Sequence, residues 1–179
     1  HGDALGDGED TVDVVLHQQH RHVPGESLDQ QGDALALGCS VIPSGTGQTE
    51  MQVAAIRDLR VRGYIGTPSF LKLIVEKADE AKSDLSTLKK AQVGAEYLPP
   101  ALRQAMRERG IAVTQMYGSA DLGLIAYESV NADGTVNAGM ILDEKLILEI
   151  VRPGTGDPLS DGEVGEVVIF ADRDKPQPR

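Results

Sequence analysis

The sequence predicts an α/β fold, a parallel sheet with flanking helices followed by a small β-rich subdomain. Two observations predict it. From Cys39 to Gly118, short apolar runs alternate with amphipathic segments of helical period, joined by brief Gly-, Pro- and Thr-bearing connections. After about residue 125 the pattern changes to apolar runs separated by turn signals, which reads as antiparallel β structure. The expected organisation is a poorly defined segment 1–37, an α/β subdomain 38–124 and a truncated β-rich subdomain 125–179.

The elements follow in order. Residues 1–38 carry many acids and glycines and little periodicity. Val12, Val14, Val15 and Leu16 would make one short strand, and residues 1–33 are otherwise expected to pack poorly. "HQQHRH" brings His17, His20 and His22 together, a conceivable metal site, although its surroundings read as a polar, solvated stretch. "CSVIP" is a short buried strand and "SGTGQTE" a Gly-rich turn. That turn lacks the Lys of a phosphate-binding loop, so it reads as a helix start. Thr49 and Gln52 fit a capping box, and Met51, Ala55 and Leu59 share one face of the helix behind it. "GYIGT" is the next strand. Thr67 then caps a helix whose first position is Pro68 and which carries Phe70, Ile74 and Ala78 at helical spacing. "LKKAQVGAE" is a strand, "PPALRQAMRERG" a helix stopped by Gly110, and "IAVTQMYG" a further strand. Beyond it, "LILEIV" and "GEVGEVVIF" are strands, with turns at "NADG", "PGTGDP" and "SDGE".

Composition narrows the function. The chain has 179 residues, 40% of them hydrophobic, enough for a real core. A formal charge of -11 disfavours nucleic acid and anionic membranes as partners. It leaves small anionic nucleotides open, because backbone N–H groups and a metal ion can hold phosphates. The single cysteine, Cys39, cannot form an internal disulfide, which fits a cytoplasmic location. No apolar run approaches the roughly 20 residues of a membrane span. Without a Met at its start or a closing element at its end, the chain reads as a fragment.

In parallel sheets, ligands gather at the carboxyl ends of the strands. Here those ends are "GTP" (66–68), "GAE" (94–96) and "YGSAD" (117–121). In the last, Gly118 lets a ligand approach the backbone, Tyr117 offers a stacking face, Ser119 a hydrogen bond, and Asp121 a hard oxygen suited to Mg²⁺. Gly94 and Ala95 allow close approach, and Glu96 can accept from an amine or a ribose hydroxyl. The alternative is that each is a solvated turn.

Taken together, "GTPSFLKLIVEKA", "VGAEYLPPALRQAMRERGIAVTQMYGSADLGLIAYES" and "RPGTGDPLSDGEVGEVVIF" resemble the adenylate-forming acyl-CoA synthetases, in particular the phenylacetate–CoA ligase branch. The resemblance covers about residues 38–170 and rests on the order and spacing of the motifs. It implies part of the N-terminal domain of an adenylate-forming enzyme. It also implies ATP-dependent activation of a carboxylic acid to an acyl-adenylate, with Mg²⁺, and transfer to CoA. By position, Gly94, Ala95 and Glu96 would line the adenine pocket and Tyr117 would stack on the base. Gly118, Ser119 and Ala120 would lie near the nucleotide's phosphates, Asp121 would meet the metal, and Tyr64, Gly66 and Pro68 would lie near the acyl group. Ala120 stands where the wider superfamily has Thr, and Asp121 where it has Glu. The family's phosphate loop is expected upstream and its catalytic Lys downstream, so no catalytic residue is expected in this chain and no ligase activity from it alone. The competing reading is a non-enzymatic nucleotide- or acyl-binding module with the same fold. A dinucleotide-binding oxidoreductase would need a Gly-x-Gly-x-x-Gly after a strand, which is absent.

Overall fold

The computed structural model describes residues 13–16, 38–45, 47–119 and 121–171. The histidine group His17, His20 and His22 lies outside them, as does Ala120. The chain forms two compact units that divide after Gln115.

In the first unit, strands β1 (Asp13–Leu16), β2 (Ser40–Pro43), β3 (Gly63–Gly66), β4 (Lys90–Val93) and the first half of β5 (Ala112–Ser119) alternate with α1 (Thr49–Asp58), α2 (Pro68–Glu80) and α3 (Pro100–Glu108). The strands are parallel, in the order β2-β1-β3-β4-β5. This is a doubly wound order, in which the direction of strand addition reverses between β1 and β3. Val15 pairs with Ile42 on one side and Tyr64 on the other. While the rest of 1–33 lies outside the described residues, the short strand expected around residues 12–16 thus forms at Asp13–Leu16 and is an inner strand. Its three consecutive apolar residues suit a position hydrogen-bonded on both edges.

The helices form as their ends dictate, with one exception. Thr67 caps α2: its Oγ1 accepts from Phe70 N–H at 3.3 Å, and Pro68 occupies the first helical position. Gly110 closes α3 with φ +78°. The capping box at Thr49 and Gln52 does not form. Gln48 holds the N-cap position without a side-chain bond, and Gln52, fully buried, donates through Nε2 to the Gly45 carbonyl at 3.0 Å. Gln52 therefore fastens the Gly-rich turn instead of the helix start. The apolar face of α1 differs as well. Val53 and Ile56 are buried, whereas Met51 and Leu59 are about half exposed. Both stripes have helical spacing, so periodicity alone could not choose between them; α1 packs against α2 through one of them.

The core joins Val53 and Ile56 of α1, Leu71, Ile74, Val75 and Ala78 of α2, and Met106 of α3 to Tyr64, Ala91, Val93 and Val113 of the sheet. A bidentate ion pair from Arg109 to Asp79, at 2.9 and 2.5 Å, links the ends of α3 and α2 at the surface.

In the second unit, the latter half of β5 turns into an antiparallel pair with β6 (Gly123–Tyr127), which pairs with β7 (Ile141–Leu142). The boundary falls inside β5, not near residue 125, because β5 changes partner halfway along its length. Strands β8 (Leu146–Val151) and β9 (Glu166–Ala171) form a second antiparallel ladder. Gly165, in "GEVGEV", has its α-carbon against the Val151 carbonyl and the Leu159 and Ile150 side chains, leaving no room for a Cβ.

The burial pattern of α2 yields a direct test. Leu71 is fully buried while Leu73, two residues on, is 38% exposed. Leu71→Ala is expected to cost about 2–5 kcal/mol in equilibrium denaturation, and Leu73→Ala less than about 1 kcal/mol. Equal losses would contradict this helix orientation.

Candidate functional site

In the first unit, the ends of β3 and β4 are tied together beyond the last paired residues. Gly94 N–H donates to the Gly66 carbonyl at 3.0 Å, extending the ladder to the point where both chains leave the sheet. Both glycines are buried. Tyr64 is also buried, at 1% exposure, and its hydroxyl donates to the Thr67 carbonyl at 3.3 Å. Burial pushes the Tyr64 hydroxyl well above the ordinary tyrosine range, and the nearby Glu96 carboxylate adds to this. Tyr64 is therefore neutral, and its ring belongs to the core. Pro68 is buried too. Of the three residues expected beside an acyl group, all are buried, whereas Ser69, Ala95 and Tyr97 are exposed.

Glu96 is held by the neighbouring strand end. Ser69 Oγ donates to one carboxylate oxygen at 2.9 Å, and Ser69 N–H donates to the other at 3.3 Å. The Ser69 hydroxyl also lies 3.3 Å from Thr67 Oγ1. Ser69 was not singled out from the sequence. Only the parallel register, which sets Gly66 beside Val93, brings residues 27 apart into contact.

Ala95 carries the backbone conformation that marks this turn, with φ +63°. The other described non-glycine residues at positive φ are Arg60 and Lys82. Each of those lies one residue past a helix C-cap, where a left-handed residue is ordinary. Ala95 lies in the bend two residues past β4 and has no such excuse. A left-handed conformation costs an L-residue roughly 1–2 kcal/mol, so the surrounding bonds must hold it.

In the second unit, "YGSAD" is the start of a tight hairpin. The register shifts between Tyr117 and Gly118, and Ser119 pairs with Gly123. A Cβ on Gly118 would fall 2.6 Å from the Gly123 carbonyl oxygen. The space left by the missing side chain is thus taken by the partner strand, which is a structural reason for glycine that the sequence reading did not contain. Ser119 Oγ accepts from Leu122 N–H at 3.2 Å and so supports the turn. Tyr117 is 47% exposed, which leaves a ring face available for stacking. Asp121 is exposed at the turn. Among the described residues no three His, Cys, Asp or Glu side chains converge as a metal cage. Mg²⁺ bound through substrate phosphates needs only one or two carboxylates, and Asp121 fits that limited demand.

With this geometry established, residues 33–171 match the family of AMP-binding enzymes. The chain belongs to the AMP-binding enzymes. Over 139 residues it is 35% identical to the phenylacetate–coenzyme A ligase of Aromatoleum evansii, a match spanning 74% of this chain and 31% of that protein. It is 36% identical over 139 residues to the Escherichia coli K12 phenylacetate–coenzyme A ligase, with the same two shares. The fold matches a solved 2-hydroxyisobutyryl-CoA ligase with a TM-score of 0.75 at 19% identity, covering 89% of this chain and 36% of that one. It also matches a long-chain-fatty-acid–CoA ligase from Archaeoglobus fulgidus, with a TM-score of 0.67 at 19% identity, 89% and 34% covered. This AMP-binding enzyme chain spans about a third of the length of the curated relatives it matches. Its strand-end motifs at 64–68, 94–96 and 117–121 all fall within the matched span.

The geometry makes two substitutions informative. Ala95→Gly relieves the left-handed strain and is expected to stabilise the first unit by about 0.5–1 kcal/mol, while Ala95→Val, β-branched at the same φ, should destabilise it by at least about 1 kcal/mol. Both are read from urea denaturation midpoints, and a destabilised glycine variant would show the turn to be unstrained. Gly118→Val is expected to cost more than about 2 kcal/mol in the second unit, through displacement of the Gly123 carbonyl. A variant with wild-type stability would mean that Gly118 is free for a ligand after all.

Proposed function

We propose that this chain forms the acid-side and base-side strand ends of an AMP-forming acyl-CoA ligase acting on aryl acetates. The observation that carries the reading is its similarity to phenylacetate–CoA ligases over most of its length. In the reaction, a carboxylate oxygen of the acid attacks the α-phosphorus of ATP, the bond to the β-phosphate oxygen breaks, and pyrophosphate leaves. The CoA thiol then attacks the acyl carbon, loses its proton, and AMP departs. Catalysis by these residues would be positioning and charge neutralisation.

The backbone of Gly94 and Ala95, with Glu96 behind it, would bound the adenine. In the second unit, Tyr117 would offer its ring as a stacking face for a base. Ser119, beside Ala120, would lie near the phosphates, and Gly118 would shape the hairpin that presents them. Asp121 would hold Mg²⁺, which supplies neutralisation of phosphate charge. Because Tyr64 and Pro68 are buried, the acid would meet the Gly66–Ser69 backbone, with the Tyr64 ring as packing beneath it. A cytoplasmic location is part of this reading, in line with the single free cysteine and a CoA co-substrate. No described helix is long and apolar enough to cross a membrane.

AMP titrated into the 179-residue chain by calorimetry is expected to bind saturably, and Tyr117→Ala to weaken it by about fivefold, the worth of one stacking face. Residues 33–171, exchanged for the matching third of the Escherichia coli ligase, are expected to support ATP-dependent phenylacetyl-CoA formation. In that chimera Asp121→Asn should raise the Mg²⁺ needed for pyrophosphate release. A chain that binds no AMP, together with a folded but inactive chimera, would overturn the reading.

A further inference from the structure

We propose that Glu96 and Ser69 are a pair of positioning residues. They clamp the acid-side exit of β3 to the base-side exit of β4 so that the two move as one platform. The inference rests on the function proposed above and specifies how that site is held.

Both carboxylate oxygens of Glu96 receive a hydrogen from the same residue, Ser69, one from Oγ at 2.9 Å and one from the backbone N–H at 3.3 Å. Ser69 is the second residue of α2, so its N–H is one of the donors that a helix leaves without an internal partner. Glu96 supplies that partner from the adjacent strand and places its negative charge at the positive end of the helix. The bonds are charge-assisted, which makes them stronger than neutral ones. They sit directly beyond the Gly94-to-Gly66 bond at 3.0 Å, so the two exits are joined by backbone at one level and by side chain at the next.

Between these two fastenings lies Ala95 at φ +63°. A strained residue persists where its neighbours over-determine it. Gly94 fixes one side of Ala95 and Glu96 fixes the other. The clamp therefore sets the backbone plane that Ala95 presents at the strand end. This assigns Glu96 away from direct ligand contact: its role is exerted through Ser69 and Ala95.

The test uses the 179-residue chain with Ser69→Ala, Glu96→Gln, Glu96→Ala and the double variant Ser69→Ala/Glu96→Ala. Amide hydrogen exchange over residues 66–70 and 94–97 reads the clamp without ligand. Calorimetry with AMP reads its consequence. Loss of the charge-assisted bonds in Glu96→Ala is expected to speed exchange in both segments and to weaken AMP binding by about tenfold. Ser69→Ala should do the same in part. The double variant should be no worse than Glu96→Ala, because both remove one interaction. Glu96→Gln, whose amide oxygen still accepts from Ser69, should recover most of the affinity. The proposal is overturned if exchange in the two segments is unlinked. It is also overturned if exchange accelerates while AMP affinity stays at the wild-type value, or if Glu96→Gln and Glu96→Ala weaken AMP equally while Ser69→Ala has no effect. That last pattern would make Glu96 a direct ligand contact. If the wild-type chain itself binds no AMP, the functional reading fails first, and that failure is recognised because it does not depend on any substitution.

Discussion

The parallel ladder between β3 and β4 continues past the strands that define it. Gly63 to Gly66 pair with Lys90 to Val93, and the next bond, from Gly94 to Gly66, is made as both chains leave the sheet. Everything at this end of the first unit depends on that register. It sets the start of α2 beside the turn after β4, puts Ser69 within reach of Glu96, and leaves Ala95 to absorb the sharp change of direction. A shift of one residue would reverse which side chains face the core and would separate the two exits.

The small residues at these ends do two kinds of work. At Gly66 and Gly94 the chains are buried where the last ladder bond joins them. At Gly118 and Gly165 the space is already filled by carbonyl oxygens of the neighbouring strands. A glycine in a motif shared with AMP-binding enzymes thus need not mean that a ligand touches it. The partner strand can impose the same demand, and the two causes look identical in one dimension.

The hydroxyl and carboxylate groups divide similarly. Tyr64, Thr67 and Ser119 spend hydrogen bonds on the protein itself, capping α2 or supporting the hairpin turn. Tyr117 and Asp121 keep exposed surface. Gly118 and Ser119 are exposed as well, so all the described residues of "YGSAD" lie at the surface, glycine and serine building the turn besides.

By itself the sequence determined the class of fold. Strand–helix alternation needs only local periodicity, and Thr67, Pro68 and Gly110 mark helix ends through short-range chemistry that acts wherever the chain is placed. The motif order also carried the family. What it left open were choices between equivalent local patterns. Met51-Ala55-Leu59 and Val53-Ile56 are both helical stripes, and only packing of α1 on α2 selected the second. Asp13–Leu16 was legible as a short strand, but only its parallel partners on both sides made it an inner one. The burial of Tyr64 and the contact of Ser69 with Glu96 required the tertiary structure for the same reason. Each depends on residues far apart in sequence meeting across a sheet, and strand register is fixed by the whole buried face, which no local pattern contains.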